Sequence, residues 1–207
     1  MDYFDELMKI LRRWDHLGSR ITARGVRLIC KTPHRGSMAY LHRVYEPLNE
    51  DQICLLEMKI GRRLPPALRT FYQKANGLSI FAGELAIQGL RHDYSRELTD
   101  EGAYQPGSLE YGNTLERIRG WSSDIVLFGW YPMDPGFNVY IHDGEDKVIM
   151  CPRRNIEPTL YEWPDFPTFL LTEADRLAKL FNEEGRLIDE NMPTVPLEAI
   201  RRQEKIH

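Results

Sequence analysis

His142 and Asp143 are neighbours at the end of the alternating run Phe137-Asn138-Val139-Tyr140-Ile141-His142, and can be drawn as a general base with its carboxylate partner. Adjacent residues of a strand point to opposite faces, so these two side chains do not naturally meet. No Ser, Cys or Thr stands in a motif that would make it the nucleophile for such a base. Metal chemistry has as little support. His34 and His42 are eight residues apart, there is no HExxH or HxH, and Cys30, Cys54 and Cys151 are scattered without a CxxC pair. An odd, unpaired set of cysteines fits a reducing compartment, and a cytoplasmic protein is expected. GxSxG, P-loop and GxGxxG motifs are all absent. Whether Asp124, Asp134 and Asp143 form a carboxylate pair for glycosidic or phosphoryl chemistry is a matter of distances, which sequence spacing does not give. The expectation is a protein without catalytic residues, metal or cofactor.

The charge is more informative than the motifs. The chain has 207 residues and a net charge of −4, with an isoelectric point near 5.9. That balance argues against a whole-surface nucleic-acid binder, which needs an excess of Lys and Arg to neutralise phosphates. Residues 1–47 hold nine Lys or Arg against five acids, whereas residues 48–207 hold eighteen against twenty-six. Within the latter part, residues 84–146 carry twelve acids and only four arginines, so the acidity is concentrated there. An acidic surface steers a basic partner and orients its approach. Trp121, Trp130, Tyr131 and Tyr140 lie in or beside this stretch, and aromatics among charges are typical interface anchors. Trp130 and Tyr131, just before Pro132 and Pro135, are expected in an exposed loop. Trp14 and Trp163 are assigned to packing.

The elements that position these residues begin with a helix carrying Tyr3, Leu7, Ile10, Leu11 and Trp14 on one face, capped by Asp2 and stopped at Gly18. Residues 19–47 lose that period and read as a basic connector or short hairpin, with Val26 to Cys30 strand-like. Asn49 and Gln52 form a capping box, with Leu48 and Ile53 in staple positions. Ile53, Leu56 and Ile60 then share a helical face that closes at Gly61. Leu64-Pro65-Pro66 ends that helix, and Pro66 opens a second one bearing Leu68, Phe71, Tyr72 and Ala75, with its stop at Asn76-Gly77. Leu78 to Phe81 and Glu84 to Ile87 read as short strands, and residues 91–114 as a long polar loop. Asp124 to Phe128 suits a central strand. Residues 137–142, a turn at 143–146 and residues 147–151 make a hairpin. Asp165 caps a closing helix with Phe166, Phe169, Leu170, Ala174, Leu177 and Phe181 inward, and a short helix starts at Leu197. No run approaches the ~20 apolar residues of a membrane span.

The run Ile53-x-x-Leu56-Glu57-x-x-Ile60-Gly61-x-x-Leu64-Pro65, followed by Leu68-Arg69-x-Phe71-Tyr72-x-x-x-Asn76-Gly77, resembles the helix-corner-helix block of the SUKH superfamily. That superfamily contains the yeast cell-wall-assembly regulators and many bacterial immunity proteins. Ile125 to Gly129, the 137–151 hairpin and Trp163-x-x-Phe166-x-x-Phe169-Leu170 follow in the same order. The resemblance implies a single α+β domain, mostly antiparallel, with helices flanking the sheet over residues 48–184. Residues 1–47 would then be an N-terminal helix and basic connector, and 185–207 a C-terminal extension. It also implies a non-enzymatic protein that binds and neutralises a cognate toxin. Nuclease toxins are basic, so the acidic surface around Trp130, Tyr131, Asp134, Asp143, Glu145 and Asp146 is the expected contact, with no membrane or nucleic acid involved. Two other readings stay open: a regulatory scaffold binding a cellular client, and a small-ligand or hydrolytic pocket beside the 91–114 loop.

Overall fold

In the computed structural model the strands follow one another across one antiparallel sheet in the order in which the chain makes them. The residues described are 2–94, 99–115, 117, 120–132, 136–153, 155 and 157–205. The strands are β1 (Arg20–Ile21), β2 (Arg27–Lys31), β3 (Tyr40–Val44), β4 (Leu78–Ile80), β5 (Leu85–Ile87), β6 (Ile125–Tyr131), β7 (Phe137–His142), β8 (Val148–Pro152) and β9 (Tyr161–Trp163). Residues 19–47 are therefore not a connector: the hairpin reading holds, and β3 pairs with β4 through Val44 and Leu78, which joins these strands to the rest of the sheet. Val26 to Cys30, read as strand-like, falls largely in β2, while β1 and β3 on either side of it were not singled out.

The helices are α1 (Tyr3–Leu11), α2 (Glu50–Ile60), α3 (Pro66–Tyr72), α4 (Asp100–Ala103), α5 (Leu109–Asn113), α6 (Phe166–Ala178) and α7 (Leu197–Glu204). Local grammar explains most of their ends. Asp2 and Asp165 accept from the first-turn amides of α1 and α6, and Asn49 and Gln52 exchange the two bonds of a capping box at α2. Gly61 closes α2 in the left-handed conformation, at φ 71. Asn76-Gly77 is a correction: α3 already ends at Tyr72, and Asn76 instead grips Leu90, donating to its carbonyl at 2.8 Å and accepting from its amide at 2.7 Å. The 91–114 loop is also corrected, since it contains α4 and α5.

The main core lies between one face of the sheet and α1, α2, α3 and α6. Phe71, Phe128, Phe166, Phe169 and Trp163 meet there edge to face, with centroids 4.9–5.5 Å apart. Trp14 and Trp163 are buried in this core, as expected of packing residues. The extension after Gly185 docks on it as well, through Val195 and Ala199.

The second face carries two smaller apolar patches, one of Val26, Leu28, Tyr40, Tyr45 and Tyr104, the other of Ile125, Leu127, Tyr140, Ile149 and Cys151. A register shift between Leu127 and Gly129 decides what lies between them. The extra residue of a bulge reverses the alternation of a strand. Before it, Val126 and Phe128 face the main core; after it Tyr131 does, and Trp130 is turned to the second face opposite Asn138. At Gly129 a Cβ would stand 2.7 Å from the Ala86 carbonyl oxygen, so only glycine lets β5 close on β6 at this point.

Candidate functional site

Strands β6 and β7, together with residues just beyond β5 and β8 and the segment that follows β5, enclose a cleft of about 510 Å³ on the second face. Gln88 beyond the end of β5, Leu127 and Trp130 on β6, and Asn138 on β7 line it from the sheet, with Arg153 beyond β8. Arg91, Tyr94, Ser108 and Tyr111 line it from the following segment. Backbone bonds from Gly89 to Gly107 and from Leu109 to Gly89 hold that segment beside the sheet. Asn113 then substitutes for a missing strand next to β6, donating to the Leu127 carbonyl at 2.7 Å and accepting from its amide at 3.0 Å. At Gly107 a Cβ would overlap the indole of Trp130, so the absence of a side chain is what lets the ring lie against the backbone.

The cleft joins aromatic surface to cationic and amide groups. Trp130 is half-buried, while Tyr94 and Tyr111 at the rim are 62% and 48% exposed. The Tyr94 hydroxyl donates to Ser108 Oγ at 3.1 Å. The Arg91 guanidinium donates to the carbonyls of Asp93 and Pro106 at 2.9 and 3.3 Å and lies over the Tyr94 ring, 5.4 Å from its centroid. Asn138 donates to the Arg153 carbonyl at 3.0 Å and to the Tyr140 hydroxyl at 3.1 Å. Gln88 is 7% exposed, and its Oε1 is buried without a hydrogen-bond partner. Its backbone is fixed on both sides, donating to Phe128 and accepting from the Tyr72 hydroxyl, each at 2.8 Å. Burial raises the Tyr72 phenol well above its ordinary range.

The residues singled out from the sequence do not form one patch. Trp130 lines the cleft, but both it and Tyr131 belong to β6 and not to an exposed loop. Proline restricts its predecessor to extended backbone, and aromatics favour strands, so Tyr131-Pro132 ends a strand here. Tyr131 is 1% exposed and donates to Glu173 of α6 at 2.6 Å; burial and then the Glu173 charge push its phenol up. Asp134 lies outside the described residues. Asp143 and Glu145 are exposed on the β7–β8 turn, and Asp143 is paired with Arg62 at 2.6 Å. Asp146 is half-buried at φ 53. This turn stands beside Asp124, whose carbonyl accepts from the Asp143 amide at 2.6 Å. Along β6 that places it six residues from Trp130, about 20 Å at the rise of an extended chain.

The isolated cysteines and histidines stay isolated. Cys30 and Cys151 are buried, which pushes their thiols up to about 11 and about 12, and Cys54 is exposed. Among the described residues no three His, Cys, Asp or Glu side chains are placed to hold a metal ion. The cleft residues Gln88, Arg91, Tyr94, Tyr111, Asn138 and Arg153 were not singled out by spacing. Two signals pointed toward them: the 91–114 segment, which carries Arg91, Tyr94 and Tyr111 and beside which a pocket was one of the open readings, and Asn138, a polar residue inside an otherwise apolar run.

Among the described residues no helix is long and apolar enough to cross a membrane. No curated protein matches the chain. The model of the SMI1 / KNR4 family (SUKH-1) matches residues 47–172, from the turn before α2 into α6. That span covers more than half of the sequence and includes every strand from β4 to β9, and the chain belongs to the SMI1 / KNR4 family (SUKH-1).

Proposed function

We propose that this is a non-enzymatic interaction protein of the immunity type, which binds a toxin domain with the second face of its sheet and occludes it. The observation that carries the reading is the half-buried Trp130 in a cleft ringed by the exposed Tyr94 and Tyr111. Large amphipathic rings over a rigid floor, with water-excluding neighbours, are the usual make-up of a binding hot spot. Membership of a family whose roles are immunity-like or regulatory supports a protein partner over a substrate. The exposed Glu145 of the β7–β8 turn supplies a second, electrostatic contact that favours a basic partner, while Asp143 beside it is paired with Arg62 and Asp146 is half-buried.

Co-expression with the toxin encoded beside this protein tests the proposal. The wild type should restore growth and co-purify with the toxin, and Trp130→Ala should lose both while keeping its circular dichroism spectrum. A wild type that neither protects nor forms a complex overturns the immunity reading. A Trp130→Ala variant that protects fully overturns the assignment of the cleft.

A further inference from the structure

The cleft has a charge opposite to that of the chain around it. Residues 84–146 are the most acidic part of the sequence, with twelve acids against four arginines. Yet the described lining of the cleft includes two guanidiniums, those of Arg91 and Arg153, and no carboxylate. The carbonyl dipoles of Asp93 and Pro106 orient Arg91, which has no ion pair among the described residues. Arg153 stands at the exposed rim with its carbonyl held by Asn138, and its side chain has neither a hydrogen bond nor an ion pair among the described residues. The same lining includes the Gln88 amide, 7% exposed with an unpartnered oxygen, a buried acceptor of the kind that is costly to leave unmade. Low-dielectric walls concentrate the field of such a site and raise the local concentration of anions.

We infer that the cleft is the seat of an acidic side chain of the partner protein. The Asp or Glu carboxylate bridges Arg91 and Arg153, on an extended segment that lays an apolar or aromatic neighbour on Trp130 and turns a backbone N–H toward Gln88. The planar fork of arginine suits a carboxylate, and a peptide supplies anion, apolar surface and donor together. The inference rests on the partner-binding reading above and sharpens it: the face has a cationic cleft at one end of β6 and an acidic turn at the other, so a partner of matching polarity docks in one orientation.

The probes are two blocked pentapeptides, Ac-Gly-Asp-Phe-Asp-Gly-amide and its Asn counterpart, with adenosine monophosphate and inorganic phosphate as competing anions. The readout is the NMR signals of the Trp130 indole N–H and the Gln88 side-chain amide. The acidic peptide should move both signals with an affinity about fivefold above that of the Asn peptide, the discrimination of a single charge-assisted contact. The preference should disappear in Arg91→Met and in Arg153→Met, and should shrink at about 0.5 M salt. Equal binding of the two peptides, or unaltered preference in both variants, overturns the inference. So does tighter binding of the nucleotide or of phosphate, which would make the cleft a small-anion site. Its failure is separable from that of the parent reading. Arginine variants that still protect against the toxin, with no acid preference in the wild type, remove the carboxylate seat alone. A wild type that shows the arginine-dependent preference but protects against nothing removes the immunity reading alone.

Discussion

His42 should make the stability of the fold depend on pH in a window where carboxylates are silent. It is fully buried, with its ring 4.6 Å from that of Phe81 and 5.5 Å from that of Trp14. Its Nδ1 accepts from the Phe81 amide at 3.2 Å, while Nε2 has no partner. Protonation would place a second donor at Nδ1 against that N–H and a charge among aromatic rings. Burial accordingly pushes the pKa from 6.5 down to about 3. The folded chain leaves this ring neutral down to about pH 3, whereas the unfolded chain protonates it below 6.5, so stability is lost as pH falls through that interval. Each pH unit well below 6.5 costs about 1.4 kcal/mol, or about 2 kcal/mol between pH 7 and pH 5. Asp2, Asp100 and Asp124 have pKa values lowered by hydrogen bonds to Lys74, Arg20 and Ser122 respectively, so their contributions are lost as pH falls through the ordinary carboxylate value of 3.8 toward the lowered ones, an interval that lies below pH 5 to 7. Urea unfolding at pH 7, 6 and 5 isolates the histidine. His42→Gln keeps an acceptor for Phe81, and should flatten the profile by about one proton whatever its offset in stability. A wild type equally stable at pH 7 and 5, or a variant with the wild-type slope, would refute the argument.

Three further outcomes follow from the packing. Asn49→Ala removes the capping oxygen of α2 and should lower stability by about 1 kcal/mol in urea unfolding, with Asn49→Asp restoring most of it. Glu173→Leu strips both Tyr131 and Arg176 of their shared partner, bonded at 2.6 Å to each, and should cost about 3 kcal/mol; Glu173→Gln, which can still accept from Tyr131, should cost less. Gly107→Ala forces a methyl group into the Trp130 indole, which should shift the tryptophan emission and weaken toxin binding at a stability cost of about 1–3 kcal/mol, measured on the same samples.

How much could be read in advance depended on whether a local rule settled the matter. The Asn49–Gln52 box, the proline corner, the Asp165 cap and the 137–151 hairpin are each decided within a few residues, and they stand as expected. The long-range choices were not local. Of β1 to β3 only β2 was read as strand-like, and the partners of its neighbours lie far along the chain, such as Asp100 for Arg20 at 2.6 Å and Leu78 opposite Val44. Asn76 was read as a helix stop because its true partner, Leu90, is fourteen residues away. The cleft depended on one bulge. A regular alternation through Val126 and Phe128 would bury Trp130 with them and present Tyr131, the reverse of what the shift at Leu127–Gly129 produces.

The charge partition undergoes a similar change of meaning. In the sequence, a basic head and an acidic middle look like two separate surfaces, the second waiting for a basic partner. In the fold, three acids of that middle are paired with cations from outside it: Asp100 with Arg20, Glu110 with Lys59 and Asp143 with Arg62, at 2.6–2.8 Å. Such half-exposed pairs contribute little to stability, about 0–1 kcal/mol each, but they remove the opposed charges from the surface field. What survives is local and not segmental: exposed acids such as Glu145 at the β7–β8 turn, and two arginines in the Trp130 cleft. A partner that meets this face therefore reads a polarity along β6 and not a uniform acidity. Charge reversal at Glu145 should then slow association at low salt and leave dissociation nearly unchanged, while Arg91→Met should act mainly on dissociation, since exposed rim charges steer and the half-buried, hydrogen-bonded Arg91 holds.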